Sequence, residues 1–202
     1  MGAIGFLVYN RWEDQNAEEI AQDLLADVKN ILNEPRPEQP LPDETAGLPN
    51  EAEKIPAEMA TIEVDGYDCI GILSVPVLDL ELPVLTQWSY AKLKKAPCHY
   101  YGSYYETDFV IAAHNYESHF GGLSRLQMGD MVIFTDAGGA DNYYQVALLE
   151  TLPATATEEM ITSGFDLSLY TCTPGGASRV TVRCSRKNGR YLHHPPILFS
   201  QQ

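Results

Sequence analysis

Thr173-Pro174-Gly175-Gly176 is the segment that most restricts what this chain can fold into. Proline lacks a backbone N–H and glycine accepts left-handed backbone angles, so these residues end a regular element and reverse the chain. Short runs of strand formers flank them, Ser168-Leu169-Tyr170-Thr171-Cys172 before and Arg179-Val180-Thr181-Val182-Arg183-Cys184 after. The pattern predicts two strands joined by a tight turn. A cysteine therefore ends the first strand and an arginine opens the second.

That placement sets a thiol beside a guanidinium. A thiolate can attack a carbonyl, and a permanently charged guanidinium can stabilise the oxyanion that results. Such a pair still needs a base. His114 comes directly after the apolar run Phe109-Val110-Ile111-Ala112-Ala113, which reads as a buried strand. Imidazole titrates near neutrality and can exchange a proton with a thiol or an amine. His99, His119 and the His193-His194 pair compete for this role, but only His114 adjoins the apolar strand.

These residues carry a family resemblance. Ser168-Leu169-Tyr170-Thr171-Cys172 resembles the Thr-Leu-x-Thr-Cys nucleophile motif of sortases, cysteine transpeptidases of the Gram-positive cell surface, with Ser in place of the first Thr. Thr173-Pro174 and Arg179-Val180-Thr181-Val182-Arg183 are similar to the segment after that cysteine in pilin-type sortases. Leu123 to Phe134, with Gly129-Asp130 before an apolar run, matches the helix and strand after the family's histidine. The resemblance spans residues 62–186 in order. It implies Cys172 as nucleophile, His114 as acid–base and Arg179 as the oxyanion or carbonyl donor. It also implies substrate contacts at Thr171, Arg183, Leu152 and Thr173. Arg183 shares a face with Arg179, so one of the two is expected to meet substrate carbonyls while the other forms a structural ion pair.

The same resemblance implies partners and place. Substrates would be LPxTG-like sorting signals of secreted proteins. The acceptor would be an amine of a peptidoglycan precursor or a pilin lysine. The site would lie on the extracellular face of the cell membrane, behind an N-terminal anchor. No metal and no cofactor are expected, since no Cys/His spacing suggests zinc.

Charge agrees with this. The 202 residues carry a net charge of −15, which argues against nucleic acid and anionic lipid as main partners. Four cysteines are too few for a disulfide-built scaffold. Alternation along residues 179–184 turns Cys184 away from the arginines, as a small buried hydrophobe. Cys69 sits in a strand-like run, and a Cys69–Cys98 disulfide is conceivable.

The expected fold is mainly β: an eight-stranded sortase-like barrel with short helices, preceded by an amphipathic helix. Strands are expected near 62–65, 69–75, 77–82, 109–114, 131–136, 143–150, 167–172 and 179–184, with short helices near 86–95 and 123–127. Glu158-Glu159-Met160 suggests a helical turn in the loop before the cysteine strand. Residues 1–33 read as the cut end of a membrane anchor and then the helix, with Asp14 at its start and its apolar stripe packed on the barrel. Residues 34–60 are rich in proline and acid and read as a linker. Its Leu41-Pro42 and Leu48-Pro49 pairs resemble a sorting signal and suggest a self-inhibiting lid. Residues 61–202 form the expected catalytic barrel.

Other functions are less well matched. An L,D-transpeptidase type of cysteine enzyme would carry a Ser-His-Gly-Cys type signature, which is absent. A papain-like enzyme opens a long helix with its cysteine, which Pro174-Gly175-Gly176 forbids. A non-catalytic surface binding module on the same barrel stays open to a labelling test.

Overall fold

The computed structural model describes residues 2–34 and 58–187, with side chains from residue 11 onwards. The Leu-Pro pairs of the expected lid and His193-His194 lie outside the described residues.

In chain order the elements are α1 (Gly2–Asn33), β1 (Ile62–Val64), β2 (Tyr67–Val75), β3 (Leu80–Leu85), α2 (Tyr90–Leu93), β4 (Cys98–Tyr101), β5 (Phe109–Ala113), β6 (Met131–Asp136), β7 (Asp141–Pro153), α3 (Thr157–Ile161), β8 (Leu167–Cys172) and β9 (Ser178–Arg186). The strands run β1-β2-β3-β4-β5-β8-β9-β7-β6, and β6 pairs back onto β2. Eight strands, β2 to β9, thus close a ring with β1 appended to β2. Closure removes the free sheet edges that an open sheet would expose.

Period-2 alternation fills this barrel. Phe109, Ile111, Ala113, Leu167, Leu169, Val182 and Cys184 point into the inner core with Phe134 and Val132. Their neighbours Val110, Ala112 and Tyr170 point outward, under a second apolar layer that includes Met160 of α3 and Leu93 of α2. Helix α1 covers another flank. Ala17, Ala21, Leu24, Leu25 and Val28 recur at helical spacing and are all buried, at most 4 % exposed. No helix among the described residues is long and apolar enough to cross a membrane.

Several details depart from expectation. Strand β4 adds to the expected set; it holds to β3 through one parallel pair, Leu85↔Cys98. Strand β3 begins three residues later than expected, because Pro76–Leu78 forms a 3-10 turn that ends at Asp79 with φ 52°. Asp14 does not start a helix; it lies well inside α1. Cys69 and Cys98 are both free thiols. Cys69 faces Leu85 in β3, and Leu85 faces Cys98 in β4. Two inter-strand steps of about 4.8 Å each separate their backbones, beyond the reach of a disulfide.

Candidate active site

The chain order of β5, β8 and β9 brings three distant residues to one level. β5 and β8 run parallel, with Ala113 opposite Thr171. One step further along both strands stand His114 and Cys172. β9 runs back beside β8 with Arg179 opposite Cys172. By alternation Cys172 faces outward with Tyr170 and Ser168, and Arg179 outward with Thr181 and Arg183. A thiol, an imidazole and a guanidinium are thus carried at one level of three neighbouring strands, on the outside of the barrel wall.

The turn between β8 and β9 is built to hold that register. The backbone N–H of Thr173 donates to the carbonyl of Ser178 at 3.0 Å, and the N–H of Gly176 to the carbonyl of Thr173 at 2.8 Å. Gly175 and Gly176 adopt φ of 84° and 77°, angles that disfavour any side chain. The Thr173 hydroxyl accepts from the Ser178 N–H at 3.1 Å, so it is engaged in closing the hairpin. Arg179 donates from Nη1 to the carbonyls of Gly176 and Ser178 at 3.0 and 3.1 Å. The turn thereby aims the guanidinium while leaving it half-exposed.

Cys172 is a free, half-buried thiol, whereas the other three cysteines are fully buried. Burial pushes Cys69 up to about 11 and Cys98 and Cys184 up to about 12. Those three are inert thiols at neutral pH. His114 is also half-buried, and desolvation, then the Lys94 cation, lower its pKa, partly opposed by Glu13. It is therefore largely neutral at pH 7 and able to accept a proton. His119 is 1 % exposed and pushed down to about 4, first by burial and then by His114. His99 bonds the carbonyl of Gly102 at 2.8 Å through Nε2, on β4. Neither competitor stands at the strand ends of the Cys172 site.

Two residues expected to touch substrate are instead committed inside the protein. Thr171 is 3 % exposed, and its hydroxyl donates to the carbonyl of Ala113 at 2.9 Å. Arg183 is 1 % exposed. It donates from Nε to Glu150 at 2.8 Å, from Nη1 to Ser168 Oγ at 2.8 Å and the Met160 carbonyl at 3.1 Å, and from Nη2 to the Glu159 carbonyl at 2.6 Å. These bonds tie α3 to the barrel, and the pair with Glu150 is an ion pair of the kind expected for one of the two arginines. Asp108, at φ 61°, secures the far end of the same loop by accepting from Ser163 N–H, Ser163 hydroxyl and Gly164 N–H at 2.7 to 2.9 Å. Leu152 is half-buried and packs on the outer apolar layer.

A groove of about 210 Å³ leads up to Arg179, lined by Trp88, Tyr90, Tyr100, Tyr170, Pro153 and Met160 among others. Its rings pack edge to face: Trp88 on Tyr90 at 4.9 Å and Tyr100 on Tyr170 at 5.3 Å. A larger cleft of about 670 Å³ lies between α1 and β3. Its lining is polar, with Asp14, Glu18, Asp79, Glu81 and Glu117 among its residues, and it holds no cysteine. The aromatic lining lies beyond the sequence expectations; its signal is the density of Trp and Tyr between Trp88 and Tyr105. Among the described residues no group of His, Cys, Asp and Glu is arranged to hold a metal.

The Sortase domain family matches residues 73–187, more than half of the chain, and the chain belongs to that family. Solved structures agree in fold. Sortase C1 from Streptococcus suis is 26 % identical, with a TM-score of 0.54 over 62 % of this chain and 76 % of that one. The Clostridium perfringens sortase D5 transpeptidase is 17 % identical, with a TM-score of 0.60 over 84 % and 99 %. Sortase A from Corynebacterium diphtheriae is 23 % identical, with a TM-score of 0.54 over 60 % of this chain; the match spans 62 % of that protein. Comparison with curated protein sequences gives no match.

Proposed function

We propose that the protein is a cysteine transpeptidase that cleaves an LPxTG-like sorting signal and passes the acyl fragment to an amine. The observation that carries this reading is the alignment of His114, Cys172 and Arg179 on adjacent strand ends β5, β8 and β9. The aromatic groove beside Arg179 suits an extended, proline-containing peptide, whose ring packs well on Trp and Tyr faces.

His114 takes the Cys172 proton, and the thiolate adds to the carbonyl carbon of the signal's Thr. Arg179 donates to the oxyanion that forms. The C–N bond to the next residue then breaks, and the imidazolium of His114 gives its proton to the leaving amine. A thioester on Cys172 results. An incoming amine, of a peptidoglycan precursor or a pilin lysine, loses its proton to His114 as it attacks, and Cys172 departs as thiolate. Residues 61–202 would carry this chemistry, on the outer face of the cell membrane.

The test is mass spectrometry of the protein mixed with Leu-Pro-x-Thr-Gly peptides, with and without amines. A thioester adduct should form on wild type, vanish in Cys172→Ala and be consumed by an amine. Full adduct in Cys172→Ala would refute the assignment. No adduct with any such peptide, while a thiol reagent labels Cys172 normally, would favour a non-catalytic binding module.

A further inference from the structure

His114 directly follows β5 and opens a loop that folds back on itself. The N–H of Phe120 donates to the carbonyl of His114 at 3.1 Å, and the N–H groups of His119 and Gly121 both donate to the carbonyl of Tyr116. Gly121 is needed there, because a Cβ would come within 2.7 Å of that carbonyl oxygen. These bonds close the loop from the inside. The N–H groups of Glu117 and Ser118, at its crest, point the other way.

They point at helix α1. Asp14 Oδ2 accepts from the Glu117 N–H at 3.3 Å, and Oδ1 from the Ser118 N–H at 3.2 Å. The Ser118 hydroxyl adds a bond of 2.5 Å to Oδ1. One carboxylate thus takes two consecutive backbone donors and a side-chain donor from the loop that bears His114. Charge-assisted bonds of this kind are about twice as strong as neutral ones. The helix is itself fixed on both sides of Asp14. Glu13 pairs with Lys94 at 3.1 Å, and Ala17 is 1 % exposed against the barrel. Ala21 joins the same inner core as Phe120.

We infer that Asp14 is a positioning residue for His114, so that α1 is a structural part of the active site although it precedes the sortase domain match at 73–187. The inference rests on the reading of His114 as acid–base. Asp14 touches no reacting atom; it acts by holding the crest of the loop and therefore the angle at which the imidazole meets Cys172. The charged and titratable groups facing His114 are Glu13 from α1, Lys94 after α2, and Tyr116 and His119 from its own loop, the Tyr116 ring at 4.8 Å.

The experiment compares wild type with Asp14→Ala, Asp14→Asn and the control Glu19→Ala on the exposed face of α1. Two readouts are taken. The first is peptide turnover: Asp14→Ala should lower kcat by about 10²-fold with KM held within about twofold. Asp14→Asn, which keeps the acceptor for Ser118, should recover part of the loss, and Glu19→Ala should match wild type. The second is the pH profile for alkylation of Cys172 by a neutral reagent, which needs no substrate. Wild type should show a limb set by His114, and Asp14→Ala should lose it as His114→Ala does. If wild type turns over no sorting-signal peptide, the proposed function fails and the alkylation profile alone decides this inference. If Asp14→Ala does not fold, Asp14→Asn decides. Unchanged kcat and an unchanged alkylation profile in a folded Asp14 variant would overturn the inference.

Discussion

The Thr171 hydroxyl donates to the carbonyl of Ala113 at 2.9 Å, from one barrel strand to the next. The residue before Cys172 is thereby bonded to the residue before His114. Replacing Thr171 with Val keeps the buried shape and removes the donor. We expect a loss of about 1–3 kcal/mol in unfolding free energy, with kcat lowered and KM for peptide unchanged. Chemical denaturation and steady-state kinetics check this; a raised KM at unchanged stability would restore Thr171 to the substrate groove.

The two arginines of β9 should separate cleanly. Arg179→Lys keeps the charge and loses the planar fork, so kcat/KM should drop by about 10²-fold while the melting temperature holds. Arg183→Ala leaves Glu150 without its partner and frees α3, which should cost about 3–5 kcal/mol. Thermal melts and kinetics of both variants test the division. A dead but fully stable Arg183 variant would exchange the roles.

His119 predicts an acid-side weakness. Its pKa falls from an ordinary 6.5 to about 4 on folding, chiefly through burial. Between those values the unfolded chain binds a proton that the folded chain refuses. Stability from this group is complete above about pH 6.5, declines as the pH falls towards 4, and levels off below, a loss of about 3 kcal/mol at most. His119→Phe should flatten that part of the curve relative to wild type. Parallel denaturation midpoints at pH 7 and pH 4.5 give the comparison; equal slopes in the two proteins would show that His119 is not responsible.

The aromatic groove makes a prediction for binding. Trp88 is 38 % exposed and packs on Tyr90 and, at 6.3 Å, on Tyr100. Trp88→Ala should raise KM for a proline-containing peptide by about tenfold, or 1.4 kcal/mol, and leave kcat near wild type. Peptides with Pro replaced by Ala should lose this sensitivity. Equal effects on both peptides would assign Trp88 a purely structural part.

How much of this the chain announces depends on how local the determinant is. The β8–β9 hairpin is legible because Pro174, Gly175 and Gly176 fix the turn and alternation fixes the faces on either side. The position of Cys172 opposite Arg179 comes from that turn alone. Strand β4 is not legible, because Cys98-His99-Tyr100-Tyr101 has no apolar–polar alternation. Pro83 reads as a breaker yet lies inside β3, opposite Ile72. β3 pairs with β4 only at Leu85, so on that side no ladder bond is demanded of the proline. The contacts of Asp14 with Glu117 and Ser118 span more than a hundred residues. Nothing near Asp14 in the sequence distinguishes such a contact from an ordinary helix cap. Arg183 is similar: its face is legible, but its burial depends on where α3 comes to rest.

The parallel pairing of β5 with β8 bears on how the protein acquires its reactivity. Parallel neighbours cannot be joined by a hairpin, and here β6, β7 and α3 all intervene between them. The strand that ends at Ala113 meets the one that ends at Cys172 only after that crossover has found its place. Loop-closure entropy makes such non-local pairings slow to form. During synthesis, Cys172 therefore emerges apart from His114, and the strands that carry the two come side by side only when the barrel closes. On the proposed function, the nascent chain would be spared a premature nucleophile, and the onset of His114-dependent thiol reactivity would mark completion of the fold.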